Sequence, residues 1–217
     1  MVRRVLYLSY TMKKLRDRFM KSDNVSAVRR MIIDLIPEGA KVLELGCSGG
    51  ELLSLLREEK NVNGHGLEID DQAIYQCVAK GLSVLRGDIE QGLSEYRDKS
   101  FDFVIMDRTF QELKNPDKAV SESIRVGREA IITFPNFVYL GSRLQILLKG
   151  RVPVTSSLPY QWYDTPNLHF LGVSDFIDYC RTRKITIVHK AFISKGKNIN
   201  ILPNLFAEIA LFAITMK

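Results

Sequence analysis

The chain has 217 residues and a formal net charge of +6, and its residues are 46% hydrophobic and 26% charged. This balance predicts one globular domain with a sizeable core and excludes a low-complexity chain. Because basic residues cluster only near the amino end, we expect no nucleic-acid partner. Cys47, Cys77 and Cys180 are odd in number and lack paired metal-ligand spacing. They therefore indicate neither a disulfide framework nor a metal site, and they favour a cytoplasmic protein.

Neither end of the chain reads as a membrane segment. The apolar tail at 205–216 is shorter than the roughly 20 residues that a membrane helix needs, and it contains Glu208. The first ten residues include two arginines and a short apolar run, but no small-residue cleavage site typical of a signal peptide. We predict an amino-terminal extension over 1–24 and a single domain over 25–217, with no membrane contact.

Helices and strands alternate along most of the chain. After a helix at 25–36, capped by Ser22 or Asp23, come a strand at 42–45 and a helix at 50–59. The pattern continues with strands at 62–68, 83–86, 101–106 and 130–134, and with helices at 71–80 and 116–126. Such alternation is typical of parallel βαβ units in a doubly wound α/β sheet with helices on both faces.

The last third of the chain departs from this alternation. A helix at 173–181 precedes two strands at 185–193 and 205–216, which we expect to pair as a hairpin-like edge. Five parallel strands and these two give seven, and this order resembles the Rossmann-like fold of the class I methyltransferases. Residues 135–171, after the fifth strand, form an insertion that we place over the carboxyl edge of the sheet. It contains an amphipathic helix at 138–149 and then a run dense in aromatic residues and prolines.

A glycine-rich turn follows the first strand, at residues 46–50. It does not fit the dinucleotide fingerprint, because Ser48 stands where that fingerprint needs its second glycine. The methyltransferase pattern fits better, with Glu44 as the leading carboxylate and Ser48 in place of a middle glycine. The backbone of Gly46, Cys47 and Ser48 is then predicted to approach a nucleotide-like ligand closely. Any tightly packed βα unit also uses glycines here, so the turn alone is weakly specific.

Carboxylates close the next three strands, and together they predict a site for S-adenosylmethionine (SAM) at the carboxyl edge of the sheet. Glu68 would accept the ribose hydroxyls, unless it is only a solvated acid at a helix start. Asp88 would meet the adenine amino group, with Ile69 and Ile89 as the apolar neighbours that cover the ring. Asp107 would face the methionyl end, unless it caps the helix that follows.

The methyl acceptor is not specified by the sequence. The Asn-Pro-Pro-Tyr type of signature found in amino-group methyltransferases is absent after the fourth strand. Candidates for an acceptor pocket lie in the insertion, with Asp164 or His169 as the base that removes a proton from the acceptor. The same insertion could instead pack as a lid or as a partner interface. The whole set of candidates is Tyr160, Trp162, Tyr163, Asp164, Asn167 and His169.

Several segments resemble the methionine-biosynthesis family MetW. They include Val42-Leu-Glu-Leu-Gly-Cys, Arg125-Val-Gly-Arg-Glu-Ala-Ile-Ile, Phe134-Pro-Asn-Phe137, Arg143-Leu-Gln, Arg151-Val-Pro-Val-Thr155 and, most specifically, Leu158-Pro-Tyr-Gln-Trp-Tyr-Asp-Thr-Pro-Asn-Leu-His169. The resemblance implies a methyltransferase-like fold, a role in methionine synthesis and a partnership with homoserine O-acetyltransferase. Two functions stay open: a SAM-dependent methyltransferase of unknown acceptor, and a non-catalytic SAM-sensing partner of that acyltransferase. Ser48 and the run from Asp107 to Phe110 depart from the family pattern.

Overall fold

The computed structural model describes residues 23–216. Apart from Asp23 and Asn24, the predicted amino-terminal extension and its candidate cap Ser22 lie outside the described residues. The helices are α1 (Asp23–Leu35), α2 (Glu51–Lys60), α3 (Asp71–Ala79), α4 (Pro116–Val126), α5 (Leu140–Lys149), α6 (Val173–Thr182) and α7 (Pro203–Phe206). The strands are β1 (Lys41–Leu45), β2 (Asn63–Glu68), β3 (Ser83–Arg86), β4 (Phe101–Asp107), β5 (Gly127–Pro135), β6 (Thr186–Ser194), β7 (Lys197–Asn198) and β8 (Ile209–Thr215). None of these helices is long and apolar enough to cross a membrane.

All the strands form one sheet in the order β3-β2-β1-β4-β5-β8-β6-β7. Strands β1 to β5 are parallel, and β8 runs antiparallel between β5 and β6. The mostly parallel α/β fold is therefore confirmed. Strands β2 and β3 lie on one side of β1, and the chain then crosses over to place β4 and β5 on the other side. This makes the β1/β4 boundary the switch point, where open α/β sheets bind ligands.

Two details of the carboxyl-terminal third differ from the prediction. The sheet has eight strands rather than seven, because Lys195 and Gly196 both take positive φ angles and fold the chain back. This turn pairs the two-residue strand β7 with the end of β6. The predicted strand at 205–216 begins only at Ile209, because Pro203 at a helix amino terminus starts α7 first.

Each face of the sheet carries its own apolar core. On one face, Val28 and Ile32 of α1 pack with Ile105 and Ile131 of the strands. The other face is covered by α4 and α6, and its cluster includes Ile132, the sequence neighbour of Ile131. Successive strand residues thus point into opposite cores, as a sheet buried on both faces requires. The insertion after β5 is left to sit at the edge of the sheet.

A cluster of phenylalanines joins the closing strands to α6. The Phe212 ring of β8 is stacked on Phe134 at 5.9 Å and lies 4.8 Å from Phe176 and 5.8 Å from Phe192, between ring centroids. Phe212 is fully buried. Its aromatic contacts add to the apolar area that it removes from water, so the ring should be among the strongest single contributors to stability.

Phe212→Ala should lower the free energy of unfolding by about 3–5 kcal/mol, because it leaves a cavity in a close-packed core. Urea denaturation followed by circular dichroism measures this loss. The same substitution at Phe206, which is 41% exposed in α7, serves as the control and should cost under about 1 kcal/mol. Equal losses in the two variants would show that the cluster does not hold the closing strands.

Candidate functional site

The turn after β1 is held in a conformation that glycine alone adopts without strain. Gly46 and Gly50 have φ angles of 70° and 75°. A Cβ atom on Gly46 would lie 2.8 Å from the Thr109 side chain, which itself donates a hydrogen bond to the Leu45 carbonyl at 3.1 Å. Ser48 also has a positive φ, 50°, which is unfavourable for a side-chain-bearing residue. The turn therefore needs a stabilising contact at Ser48.

Glu68 at the end of β2 provides that contact. Its Oε2 accepts the backbone N–H of Ser48 at 2.7 Å, while Oε1 accepts those of Ile69 at 2.8 Å and Asp70 at 3.0 Å. Glu68 is only 9% exposed, so the alternative of a solvated acid is wrong. A carboxylate has about four acceptor positions, and three are occupied here. One position, on Oε2, is left over for a ligand in this arrangement.

A cavity of about 370 Å³ opens beside Glu68, at the ends of β2 and β3. Ile69 lines it with an exposed side chain, whereas Ile89 is half-buried and packs against the core. Asp88 also lines it, and its Oδ1 accepts the N–H of Glu90 at 2.9 Å. The cavity offers the apolar Ile69 and the acidic Asp88 beside the basic Arg86, and it brings together two of the predicted site residues. Its lining is Ile69, Arg86, Gly87, Asp88 and Gln91.

Cys47 belongs to the turn, but its side chain is turned away from the cavity. It packs with Leu53 and Cys77, and the two sulfur atoms lie 4.0 Å apart. Burial raises the pKa of both thiols, so neither forms the reactive thiolate near neutral pH. Only the backbone of Cys47 can therefore serve a ligand. All three cysteines are free, and no group of three His, Cys, Asp or Glu side chains within residues 23–216 could hold a metal ion.

A buried ionic cluster lies at the β1/β4 switch point. Asp107 Oδ1 accepts a hydrogen bond from the Thr133 hydroxyl at 2.7 Å and lies 3.4 Å from Arg108 Nε, while its Oδ2 lies 3.8 Å from Arg29 Nε. Burial acts to raise the pKa of Asp107, but the two guanidinium groups and this hydrogen bond outweigh it and hold that pKa below its usual value. Asp107 is therefore ionised. The side chain that caps α4 is Asn115, so the capping alternative for Asp107 is wrong.

Glu44 lies in the same cluster with a different charge state. Burial and the negative charge of Asp107 raise the pKa of Glu44 well above its usual value, although Arg29 and Arg108 oppose them. Its Oε2 atom is buried without a hydrogen-bond partner among the described residues. A buried polar atom left unpaired costs stability, and at a ligand edge it marks an acceptor that a ligand could engage.

Arg29 and Arg108 were missed when the sequence was read for carboxylates alone. Arg29 comes from α1, where it shares a face with Val25 and Ile33, which are both buried. A charged residue on the apolar face of an amphipathic helix is a signal that the sequence does carry. No pattern in the sequence singles out Arg108. Its backbone has an unusual positive φ of 59°, which only the structure shows.

The insertion encloses a second cavity of about 340 Å³, which is mostly apolar. Of the predicted acceptor-pocket residues, Tyr160, Trp162 and Asn167 line it, whereas Tyr163, Asp164 and His169 do not. Asp164 instead accepts the N–H of Gln161 at 2.7 Å in a local turn. The full lining is Phe137, Val152, Pro153, Leu158, Tyr160, Gln161, Trp162, Thr165, Asn167 and Phe170. A catalytic role for Asp164 or His169 stays a prediction.

Hydrogen bonds at two places that the sequence did not reveal help to fix the insertion to the rest of the domain. The backbone N–H groups of Leu168 and His169 both donate to the Gln111 carbonyl, at 2.9 and 3.0 Å, just after β4. At the other contact, the buried carboxylate of Glu208 accepts hydrogen bonds from Ser156 of the insertion, from Asn24 and from Ser194. The insertion is therefore anchored beside the switch point, next to the end of the sheet where the ionic cluster lies.

Comparison with known proteins agrees with this geometry. The fold resembles a SAM-dependent methyltransferase from Archaeoglobus fulgidus with a TM-score of 0.69, 17% identity, and coverage of 94% of this chain and 98% of that one. A second SAM-dependent methyltransferase, from Thermotoga maritima, gives a TM-score of 0.64 at 19% identity, covering 93% of this chain and 94% of that one. At such low identity these likenesses establish the class I methyltransferase fold alone.

Sequence comparison establishes the family. The family model described as methionine biosynthesis protein MetW matches residues 27–214. The bifunctional methionine biosynthesis protein MetXA/MetW of Rhodopirellula baltica is 32% identical over an alignment of 195 residues that covers 84% of this chain. This chain spans only 31% of that relative's length. With a family match over nearly the whole described domain, the chain belongs to the MetW family of methionine-biosynthesis proteins.

Proposed function

We propose that the protein binds SAM along the carboxyl edge of β1 to β4 and acts as a SAM-dependent methyltransferase in the cytoplasm. The observation that carries the proposal is the Glu68 carboxylate, which joins a strained glycine turn to a cavity lined by Ile69 and Asp88. Adenine would enter this cavity, with Ile69 against the ring and Asp88 near its amino group. A ribose hydroxyl would donate to the acceptor position that remains on Glu68 Oε2. Capture of both hydroxyls would require Glu68 to release a backbone N–H.

The methionyl end of SAM would reach the ionic cluster. Its ammonium group needs acceptors, and the unpartnered buried oxygen of Glu44 lies there. The positive charge of the ammonium would favour the ionised form of Glu44, so SAM binding would release the proton that Glu44 keeps in the free protein. Its carboxylate needs cations, which Arg29 and Arg108 supply. Bound in this way, the ligand would add a cation beside the two acids and an anion beside the two arginines. We expect Asp107 to act mainly by holding the arginines in place, because it already pairs with both.

The second cavity is our candidate for the acceptor site. Neighbouring strands lie about 4.8 Å apart, so three strand spacings separate the β2 end from the β5 end by roughly 14 Å. Adenine at one end would thus leave the sulfonium pointing toward the insertion. SAM supplies an electrophilic methyl group, and the protein's task is to align the acceptor nucleophile with it and exclude water. The lining contains no charged side chain, which suits an uncharged, largely apolar acceptor.

A second candidate function is supported by the fused relative. In the Rhodopirellula protein a MetW unit is joined to a MetXA unit, so the two work within one polypeptide. Together with the family resemblance, this supports a partnership of our chain with a MetXA-type homoserine O-acetyltransferase. The activity of the acyltransferase would then depend on the concentration of SAM, which is made from the methionine that the pathway produces. Both functions require the same SAM site, and only the second dispenses with an acceptor.

Glu68→Ala should weaken SAM binding by about a hundredfold or more, because it removes a charge-assisted acceptor worth roughly 1.5–3 kcal/mol and loosens the Ser48 turn. Isothermal titration calorimetry with SAM measures the affinity, and the melting temperature reports any loss of folding. Glu68→Gln, which keeps one acceptor oxygen and the side-chain volume, should show a smaller loss. Glu58→Ala, on the exposed surface of α2, is the control and should bind normally. Unchanged affinity in a folded Glu68→Ala protein would contradict the proposed site.

Glu44→Gln should stabilise the protein while weakening SAM binding. Because the native pKa of Glu44 lies above its unfolded value, the native state keeps a proton that the unfolded state loses. The free energy of unfolding therefore falls as pH rises above the unfolded pKa of about 4.3, and Gln removes this fall. We expect a gain of about 1–3 kcal/mol at pH 8 and a flatter profile above pH 5.

Denaturation at several pH values measures the Glu44 effect, and titration with SAM measures the affinity of the same protein. Glu95→Gln, an exposed acid-to-amide change, should alter neither. A Glu44→Gln protein that is less stable than the wild type at pH 8, or that binds SAM equally well, would contradict the role assigned to Glu44.

A further inference from the structure

Helix α5 presents an apolar face to solvent. Its only buried residue is Ser142. Leu144, Leu147 and Leu148 follow the three- and four-residue spacing that places side chains on one face of a helix. Leu147 and Leu148 are 78% and 77% exposed. The leucine face, by which we mean these three side chains, lies on the outer side of the insertion. Water-exposed leucines in a row are unusual on a free domain and typical of an interaction surface.

The leucine face is held in a fixed shape before any partner binds. The Gln145 side chain accepts the N–H of Val154 at 3.2 Å and donates to its carbonyl at 3.1 Å. These two bonds hold the segment after α5 alongside the helix, and Gly150 with a φ of 59° makes the reversal between them. Val152 in this segment is exposed and lines the cavity of the insertion. Such preorganisation lowers the entropy lost on binding.

The charge around this surface is of one sign. Residues 136–163 contain no aspartate or glutamate, and their charged residues are Arg143, Lys149 and Arg151. The apolar face therefore has a basic border. The surface that complements it is an apolar groove bordered by carboxylates, because opposite charges at the rim of an interface steer association and suppress wrong partners.

We propose that the leucine face is the surface on which a MetXA-type protein docks, through an apolar groove with an acidic border. The occupant is indicated by the relative in which this domain makes up 31% of a chain that also contains a MetXA unit. Covalent linkage there keeps the two units at high effective concentration, and a docking surface would hold them in a defined arrangement. This inference rests on the partnership proposed above and not on the SAM site.

The test uses the full chain, a purified MetXA-type homoserine O-acetyltransferase and the double variant Leu147→Glu, Leu148→Glu. Both leucines are largely exposed, so the variant should fold and keep its melting temperature and its affinity for SAM. The control is Val188→Glu, which is also an exposed apolar-to-acid change. Val188 lies at a bulge near the start of β6, at the end of the sheet away from the insertion. Biolayer interferometry with the immobilised acyltransferase measures the binding of all three proteins.

Wild type and Val188→Glu should bind at micromolar concentration or tighter, and the double variant should bind at least tenfold more weakly. Equal binding by all three proteins would overturn the docking surface while leaving the partnership intact. If the wild type does not bind, the partnership is wrong. If the wild type forms a dimer and the double variant is monomeric, a second copy of this chain occupies the leucine face. If the wild type fails to bind the acyltransferase but sediments with anionic lipid vesicles, the leucine face would instead bind a membrane surface. Titration with SAM on the same samples keeps each of these outcomes separate from a failure of the SAM site.

Discussion

The carboxylate of Glu68 joins the turn after β1 to the segment that follows β2. It accepts backbone N–H groups from Ser48 in the turn after β1 and from Ile69 and Asp70 after β2. These bonds offset the unfavourable backbone of Ser48 and fix the approach to α3, whose first turn Asp70 then caps. The shape of the proposed ligand site is therefore set by one buried acid, which also keeps one acceptor position for the ligand.

At the switch point the protein retains a costly arrangement. Two acids and two arginines lie together, largely buried, and the pKa values of the two acids are displaced in opposite directions. Burial and the charge of Asp107 raise the pKa of Glu44, whereas the two arginines and the Thr133 hydrogen bond outweigh burial and lower that of Asp107. Pairs of buried ionisable groups contribute little net stability, and a partnerless oxygen subtracts from it. Divergent pKa values of this kind are typical of functional sites. In our proposal this cluster receives a zwitterionic end group, the amino-acid portion of SAM.

The parallel part of the fold could be predicted because local signals agree there. The apolar runs of β1 and β4, the turn glycines and the Pro116 start of α4 all indicate the same elements. Prediction failed where a short-range effect depended on context, as at Pro203, which starts a helix inside an apolar run. The carboxylates that we propose for the site could be selected because strand ends are visible in a sequence. Gln111 and the Glu208 anchor could not be selected, because their roles depend on contacts between distant segments, and the positive φ of Arg108 is not visible in the sequence.

A crystal structure of the protein with adenosylhomocysteine tests the central claim most directly, because that product analogue contains every part of SAM except the transferred methyl group. Our account predicts adenine between Ile69 and Asp88, a ribose hydroxyl on Glu68, and the amino-acid end against Glu44 and Arg29. The side of the sulfur atom that carries the methyl group in SAM should face the cavity of the insertion. A ligand bound elsewhere, or crystals that stay free of ligand at millimolar concentration, would contradict it.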